Sequence, residues 1–545
     1  MTKKLCCLFA LLFSFLVSST SKAIDYASPN VSLLDPYYRD VEKLISFGLI
    51  DIYISGQKPY SRTEFSRLTA EAESHLDRLK NEEEKEVVEN ILKRLKKEFP
   101  SEKDFYDIRF LHQLKFSNVL TNSTPRFTTA SADSIDSEIN PILSYQEGRH
   151  FVKGAQSAFE SQHWINISPY FNIFIEPRFQ FQYPAEDVDP ENKIFLQNFQ
   201  AKGVYKNLSL SVGRQALIYG QGKNGGLLLS SNPRSLDMFQ LSNESPFFLP
   251  WIFKYLGPNK ISFFLADLGP AQNFSGAYLA GYKWSLKPWS FFELGAALMV
   301  HSGGENSPEG SFRQRFGDLF PFSQALLGGS QNDIGNKMGG LDFRLRIPQL
   351  RNSELYGEMI FDDTHSRLDT MFIQDAGYLG GIYIPRLNRQ GTLDLRLEYS
   401  RTGVRFYTHG QFSSGLTENG NILGSNLGRD AQSLSLSSNW DINSLHTLAF
   451  QLDYENRSND VYAYITDPDA HFVKTTNLPN EERYRFGTEW QYRPLENPFS
   501  LSTKLSYERV KNFNFSSGDS RNNFLGSVTL NFNFDQWFQK VSNNR

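Results

Sequence analysis

The run Phe171-Asn-Ile-Phe-Ile-Glu-Pro-Arg-Phe-Gln-Phe-Gln-Tyr183 decides the reading of the fold. Phe171, Ile173, Ile175, Phe179, Phe181 and Tyr183 alternate with Asn172, Glu176, Arg178, Gln180 and Gln182. A period of two is that of a β-strand with one apolar and one polar face. The pattern returns at Leu341-Asp-Phe-Arg-Leu-Arg-Ile347, at Leu393-Asp-Leu-Arg-Leu-Glu-Tyr-Ser400 and at Ser527-Val-Thr-Leu-Asn-Phe-Asn-Phe534. A face bearing paired charges of both signs thus recurs from residue 104 onward, with no helices interleaved. A small soluble sandwich has no use for so much of it. Lipid outside and a wet, polar lumen inside do, which makes this a mainly β chain, a transmembrane antiparallel barrel.

Counting tests the idea. Strand-like segments fall at 107–117, 156–166, 170–183, 193–204, 208–218, 234–243, 259–267, 274–283, 290–300, 338–347, 353–361, 376–385, 393–406, 431–440, 445–454, 483–492, 501–510 and 524–534. There are about 18 of them, an even number as single-chain bacterial barrels have. Long connections (118–155, 301–337, 407–430, 455–482, 511–523) alternate with short turns such as 348–352, 386–392, 441–444 and 493–500. Both termini then belong in the periplasm and the long loops outside the cell. The exception is 244–258, a long inner-side segment rich in Phe, Trp and Pro.

Ahead of the barrel, residues 24–103 read as a small periplasmic α-helical bundle. Asp35-Pro36 opens a first helix with Tyr37, Val41, Leu44 and Ile45 on one face, and Gly48 stops it. Ser61-Arg-Thr-Glu64 is a capping box. Val87, Val88, Ile91, Leu92 and Leu95 mark a third helix. Three short helices make a thin core, so this unit is expected to lean on something larger. Residues 1–23 read as a signal peptide: Lys3 and Lys4, the apolar run Leu5 to Val17, then Ser21-Lys-Ala23. Cys6 and Cys7 are the chain's 2 cysteines, so the mature protein has neither disulfide nor thiolate metal site. Residues 535–545 read as a C-terminal tail.

The 545 residues carry a formal charge of −4, which offers nothing to nucleic acid, and 14% are aromatic. Beyond the N-terminus no apolar run approaches the ~18–20 residues a spanning helix needs. Gly220-Gln-Gly-Lys-Asn-Gly225 matches a dinucleotide fingerprint, but Leu227-Leu-Leu-Ser-Ser231 follows it where a capped helix should. Glycines that let a loop fold tightly at the barrel mouth or into its lumen account for it better. The 9 histidines include no i, i+4 pair. Glu354, Glu358, Asp362 and Asp363 could act as acid and base, yet pairing with Arg344, Arg346 and Arg396 is the expected use. No enzyme, cofactor or metal is indicated.

The outer loops mix aromatics with polar groups: Tyr407 and Phe412 in one, Tyr462, Tyr464 and Phe472 in another. A sugar offers an apolar C–H face and a rim of hydroxyls, which a ring and neighbouring amides or carboxylates satisfy together. These five are the candidate glycan contacts.

The order of several motifs resembles the capsule assembly Wzi family. They are Val212-Gly-Arg-Gln-Ala-Leu-Ile-Tyr-Gly-Gln-Gly222, Leu227-Leu-Leu-Ser-Ser-Asn-Pro-Arg-Ser-Leu236, Met338-Gly-Gly-Leu-Asp-Phe-Arg344 and Tyr356-Gly-Glu-Met-Ile-Phe-Asp-Asp363. A last one runs from Tyr407-Thr-His-Gly410 to Asn419-Gly-Asn-Ile-Leu-Gly-Ser-Asn-Leu-Gly-Arg-Asp-Ala431. Arg214, Gln215, Tyr219, Gly220, Asn232 and Arg234 are the candidate loop or lumen residues of that pattern. The resemblance implies an outer-membrane barrel of 18 strands with a helical bundle before it. It also implies a lectin-like, non-enzymatic role in holding capsular polysaccharide. Its partners would be surface polysaccharide, outer-membrane lipid and the barrel-insertion machinery, and the protein would be a monomer. A porin-like diffusion channel is the alternative. Leu44-Ile-Ser-Phe-Gly-Leu-Ile50 with Pro59-Tyr-Ser-Arg-Thr-Glu-Phe65 also looks like half of an S-layer homology repeat, which leaves a cell-wall tether as a third reading.

Overall fold

A computed structural model describes residues 26–100, 107–124, 126–128, 137–139, 142–185, 189–320, 335–362, 367–469 and 471–543. The signal-peptide reading of 1–23 and the carboxylate Asp363 lie outside them.

Eighteen strands among the described residues close into one antiparallel barrel. They are β1 (Ile108–Thr121), β2 (Gly154–Ser168), β3 (Phe171–Pro184), β4 (Lys193–Tyr205), β5 (Leu208–Gln215) and β6 (Leu236–Asn243). Next come β7 (Pro258–Asp267), β8 (Tyr278–Trp289), β9 (Phe292–Ser302), β10 (Asn336–Ile347), β11 (Ser353–Phe361) and β12 (Ala376–Ile384). The last are β13 (Leu395–Thr402), β14 (Ala431–Asp441), β15 (His446–Arg457), β16 (Glu481–Tyr492), β17 (Phe499–Lys511) and β18 (Ser520–Asn533). Each pairs with its sequence neighbours, and β18 returns to β1 in a register from Gln113 opposite Asn533 to Thr121 opposite Leu525. Closure leaves no unpaired strand edge, a condition for a sheet in hydrocarbon.

The faces fall as the alternation requires. On β3, Asn172, Glu176, Arg178, Gln180 and Gln182 are buried toward the lumen, whereas Phe171, Ile175, Phe179, Phe181 and Tyr183 are exposed on the outer wall. Pro177 lacks an amide to give, and the ladder to β4 slips one residue there. Strands β5 and β13 stop sooner than their apolar patterns suggested, at Gln215 and Thr402. The residues beyond them, 216–218 and 403–406, leave the wall and turn inward.

The N-terminal domain holds α1 (Tyr37–Ser46), α2 (Arg62–Ser74) and α3 (Glu82–Glu98). Asp35 accepts from the Tyr37 amide at 3.0 Å, and Gly48, at φ +75°, ends α1. Ser61 caps α2 by accepting from the Glu64 amide at 3.1 Å, but the Glu64 carboxylate takes Arg67 instead of reaching back. Leu44, Phe65, Leu68, Val88, Leu95 and Phe99 form the small shared core. As expected of a thin core, the domain leans on the barrel, at its short-turn end. Arg39 grips Asp441 with two bonds of 2.7 and 3.1 Å, and Lys43 binds the same carboxylate. Asp40 sits between Arg94 and Arg493, Glu42 meets Arg396 at 2.6 Å, and Arg351 reaches Glu84 at 3.0 Å.

The expected tail is instead a helix, α4 (Phe534–Asn543), whose Asp535 accepts from or pairs with His112 of β1 at 2.7 Å. Trp537 and Phe538 are exposed beside Phe532 of the wall. The long segment between β6 and β7 forms a tight helical turn, Trp251–Leu256, on the same rim, with Trp251, Ile252, Phe253 and Tyr255 all exposed. Aromatic rings at the rim of an apolar wall are the interfacial girdle of membrane barrels.

Candidate functional site

The loop between β5 and β6 builds the centre of the molecule. Leu217, Tyr219, Leu227, Leu228 and Leu229 cannot stay in water, and glycines let the chain fold sharply enough to bury them. Gly220 has φ +141°, and a Cβ on Gly226 would come within 1.8 Å of the Tyr219 carbonyl oxygen. The loop therefore dives into the lumen and meets the N-terminal domain there. Ile218 and Tyr219 pair antiparallel with Lys58 and Gln57, and the Gly220 amide donates to the Gly56 carbonyl at 3.1 Å.

The glycine-rich turn does cradle an acid group with its amides, as such turns do, but the group is the protein's own carboxyl. The Glu358 carboxylate on β11 accepts from the amides of Gln221 (2.6 Å), Gly222 (3.1 Å) and Leu227 (2.8 Å). Gln221 then joins every wall around it. Its amide nitrogen donates to Asp342 at 2.8 Å and Glu293 at 3.1 Å, and its oxygen accepts from Ser55 at 3.0 Å and Arg344 at 2.8 Å. Of the lumen carboxylates, Glu354 pairs with Arg344 as expected. Arg346 does otherwise: it donates to the carbonyls of Ile45 (3.0 Å) and Ser290 (2.8 Å).

Two further loops roof this plug. Ser230 donates its amide to the Leu423 carbonyl at 2.9 Å, and Glu147 donates its amide to Ser231 at 2.7 Å. Asn232 donates to the Ile422 carbonyl at 2.9 Å, and Arg234 pairs with Glu418 at 2.7 Å. Burial pushes the Glu418 carboxyl above the usual carboxylate range, against the pull of Arg234. Spaces remain among the described residues, including one of about 410 Å³ bounded by Lys115, Gln162, Gln491 and Asn531 and one of about 180 Å³ beneath Tyr145 and Asn426.

The candidate residues therefore divide. Tyr219, Gly220, Asn232 and Arg234 are brought together as parts of the plug. Gln215 faces the lumen and accepts from Gln200 at 2.6 Å. Arg214 is not with them; it faces the outer wall and pairs with Asp237 at 2.7 Å. Among the five ring candidates, Tyr407 and Phe412 are buried and Phe472 nearly so. Tyr407 donates to the Leu227 carbonyl and accepts from the Ser425 amide at 2.7 Å, so it fastens two loops together. Phe412 packs on Phe274 and His301. Tyr462 donates to Asp430 at 2.8 Å. Tyr464, 46% exposed on the hairpin of Tyr462–Ile465 with His471–Lys474, offers its ring most openly to solvent, and Tyr462 is half-buried. Exposed Leu368, Phe372, Ile373 and Val473 lie at this end too, and Gln374 clasps the Phe472 backbone with bonds of 2.9 and 2.8 Å.

Asp51, Glu71 and His75 converge on the helical domain. Glu71 already accepts from the amides of Asp51 and Ile52 and pairs with Arg67, while Asp51 pairs with Arg78. That triad holds a turn together and is not a metal centre in the making. Of the hub residues, Gln221 lies inside the quoted glycine motif, Glu293 had only its lumen-facing polarity as a signal, and Gly56 had none.

Comparison with known proteins fits this architecture. A match to the family of the capsule assembly protein Wzi covers residues 124–525. The chain is 26% identical over 192 residues to an uncharacterized 55.8 kDa protein in the cps region of Klebsiella pneumoniae. That match covers 34% of this chain and 36% of the Klebsiella protein, so it spans about a third of that relative's length. The solved structure of Escherichia coli Wzi, described as an outer membrane protein involved in group 1 capsule assembly and a carbohydrate-binding β-barrel, superposes with a TM-score of 0.66. It covers 93% of this chain and 99% of that one at 16% identity, and so speaks for the fold. With the family match spanning well over half of its length, the chain belongs to the capsule assembly protein Wzi family.

Proposed function

We propose that this outer-membrane barrel holds exported surface polysaccharide at the cell surface, through its long-loop end, and does not conduct solutes. The observation that carries the second half is the junction of Gly220 with Gly56: loop and N-terminal domain meet inside the lumen. A barrel so filled is a rigid platform, and rigid platforms suit loops that must present rings and hydrogen-bonding groups to a repeating ligand. Weak single contacts to a polysaccharide add through its many repeats. Tyr464 is the ring this reading depends on. Its neighbours Tyr407, Phe412 and Phe472 serve by holding the loops in place. Residues 1–23 act as the cleaved export signal, and 24–103 lie on the periplasmic side.

Two measurements on the full-length protein test the reading together: polysaccharide retained on cells, and current across a planar bilayer. Cells lacking the protein should release polysaccharide, and the purified barrel should give no steady conductance. Large ohmic steps with unchanged retention would favour the porin alternative instead.

A further inference from the structure

We propose that the outer wall of β16, β17 and β18 carries a binding site for the phosphate groups of a phosphorylated glycolipid in the outer leaflet. Its centre is Arg509. Alternation sets its direction, since Glu508 and Val510 on either side are fully buried and Arg509 is exposed on the wall. Its height follows from the same strand. The outward residues from the inner rim are Phe499, Leu501, Thr503, Leu505 and Tyr507, and the tenth residue above Phe499 is Arg509. Ten residues of strand tilted by roughly 45° rise about 25 Å, the height of the apolar band of such barrels. Arg509 therefore stands where hydrocarbon gives way to headgroups.

Adjacent strands change character at the same level. Two pairs of rings lie there, Tyr454 with Tyr484 across β15 and β16 (centroids 5.2 Å apart) and Tyr507 with Phe524 across β17 and β18 (5.1 Å apart). Arg509 is in register with Tyr484 on one side and Asn522 on the other. Directly opposed residues in a ladder have Cβ atoms about 5 Å apart, so hydroxyl, guanidinium and amide flank one another. Lys511, two residues up on the same face, rests over the Tyr484 ring at 4.8 Å and reaches Glu482 at 3.4 Å.

Charge completes the argument. Arg214, facing the same wall from β5, is neutralised by Asp237, and Lys193 by Glu191. The Arg509 side chain makes no ion pair or hydrogen bond among the described residues. An unneutralised guanidinium at the edge of hydrocarbon needs an anion, and its fork matches the geometry of a phosphate. The lateral direction and depth of the site favour a lipid over a soluble acidic polysaccharide, which would arrive from above the loops.

The test titrates the full-length barrel in detergent with bisphosphorylated lipid A and reads complexes by native mass spectrometry. The parent should bind, and the double variant Arg509→Ala with Lys511→Ala should bind at least tenfold more weakly. Dephosphorylated lipid A should lose a similar factor on the parent. Inorganic phosphate at the same concentration should not compete. Equal binding by parent and variant, or equal binding of the dephosphorylated lipid, overturns the proposal. Full competition by inorganic phosphate overturns the lipid assignment, and displacement by an acidic polysaccharide alone does so as well. Folding is checked by heat-modifiable gel mobility. Should the double variant fail that check, Arg509→Gln, expected to weaken binding severalfold, takes its place.

Discussion

The two plugs that meet inside this barrel are fastened by different chemistry. At the short-turn end the helical domain binds through charged side chains: Arg39 and Lys43 on Asp441, Arg94 and Arg493 about Asp40, Arg62 and His112 about Glu98. At the loop end, residues 216–235 are held mainly by backbone amides and by a cluster of buried leucines and tyrosines, with charged partners only at Gln221, Arg234 and the Glu358 cradle among the contacts described above. Charge pairs taken out of water return little net stability, but losing one partner strands the other. Apolar burial and backbone pairing depend on shape and on glycines. The first plug is therefore vulnerable to charge removal and acid, the second to an added side chain.

Deleting Gly220–Gly226 should have the largest effect, because it removes the contact with Gly56 and the cradle of Glu358 together. Bilayer recordings should pass from silence to steady conductance, with the barrel still heat-modifiable. A silent deletion would mean that the helical domain alone seals the lumen. Gly226→Val, which cannot coexist with the Tyr219 carbonyl, should give the same opening more weakly or intermittently.

Asp441→Ala should strand Lys43, leave Arg39 only the Asp394 carboxylate at 3.5 Å, and cost about 3–5 kcal/mol of docking. Protease should then cut between the helical domain and barrel in the variant while the barrel itself resists. An unchanged digestion pattern would show that the remaining pairs suffice, and that the contrast between the two plugs is overdrawn.

Acid offers a gentler probe. Burial raises the Glu98 carboxyl, but the charges of Arg62 and His112 outweigh it and hold the group down at about 2. A carboxyl depressed in the folded state stabilises it above its ordinary value near 4.5, and that contribution fades as pH falls through about 2. On the order of 3 kcal/mol of docking should be lost across that window. Protection of the helical domain from acid-active protease, followed from pH 5 to 2, should fall in the parent and start lower and flatter in Glu98→Gln.

The smallest structural effect is expected at Tyr464. Tyr464→Ala touches an exposed ring and should change stability by no more than about 0.5 kcal/mol, yet reduce polysaccharide retention. Tyr407→Phe removes the hydroxyl that joins two buried loops and should loosen the roof first. Equal retention by Tyr464→Ala and parent would move the glycan contact away from this hairpin.

Much of this architecture was legible in one dimension. Each of the eighteen alternating segments overlaps a strand, because lipid on one face and water on the other impose a period of two on every spanning segment. Capping residues and a 3.6 period marked the three helices for the same local reason. Local pattern could not tell which aromatic rings would be seen by a ligand. Tyr407, Phe412, Phe472 and Tyr464 all sit in loops rich in polar residues, yet three pack inward and one does not. Nor could it separate Arg214, neutralised by its neighbour across the ladder, from Arg509, which is not; that depends on register.

What the sequence determined by itself was the wall, the helices before it and the family, since each follows from side chains close together in the chain. Only the tertiary structure decided that the loop after β5 meets the N-terminal domain inside the lumen, with Gly220 on Gly56, and that the glycine turn holds the Glu358 carboxyl. Those contacts join residues from opposite ends of the barrel. They form because leucines that cannot remain in water and amides that must find partners have one enclosed place to go, which no neighbour in sequence specifies.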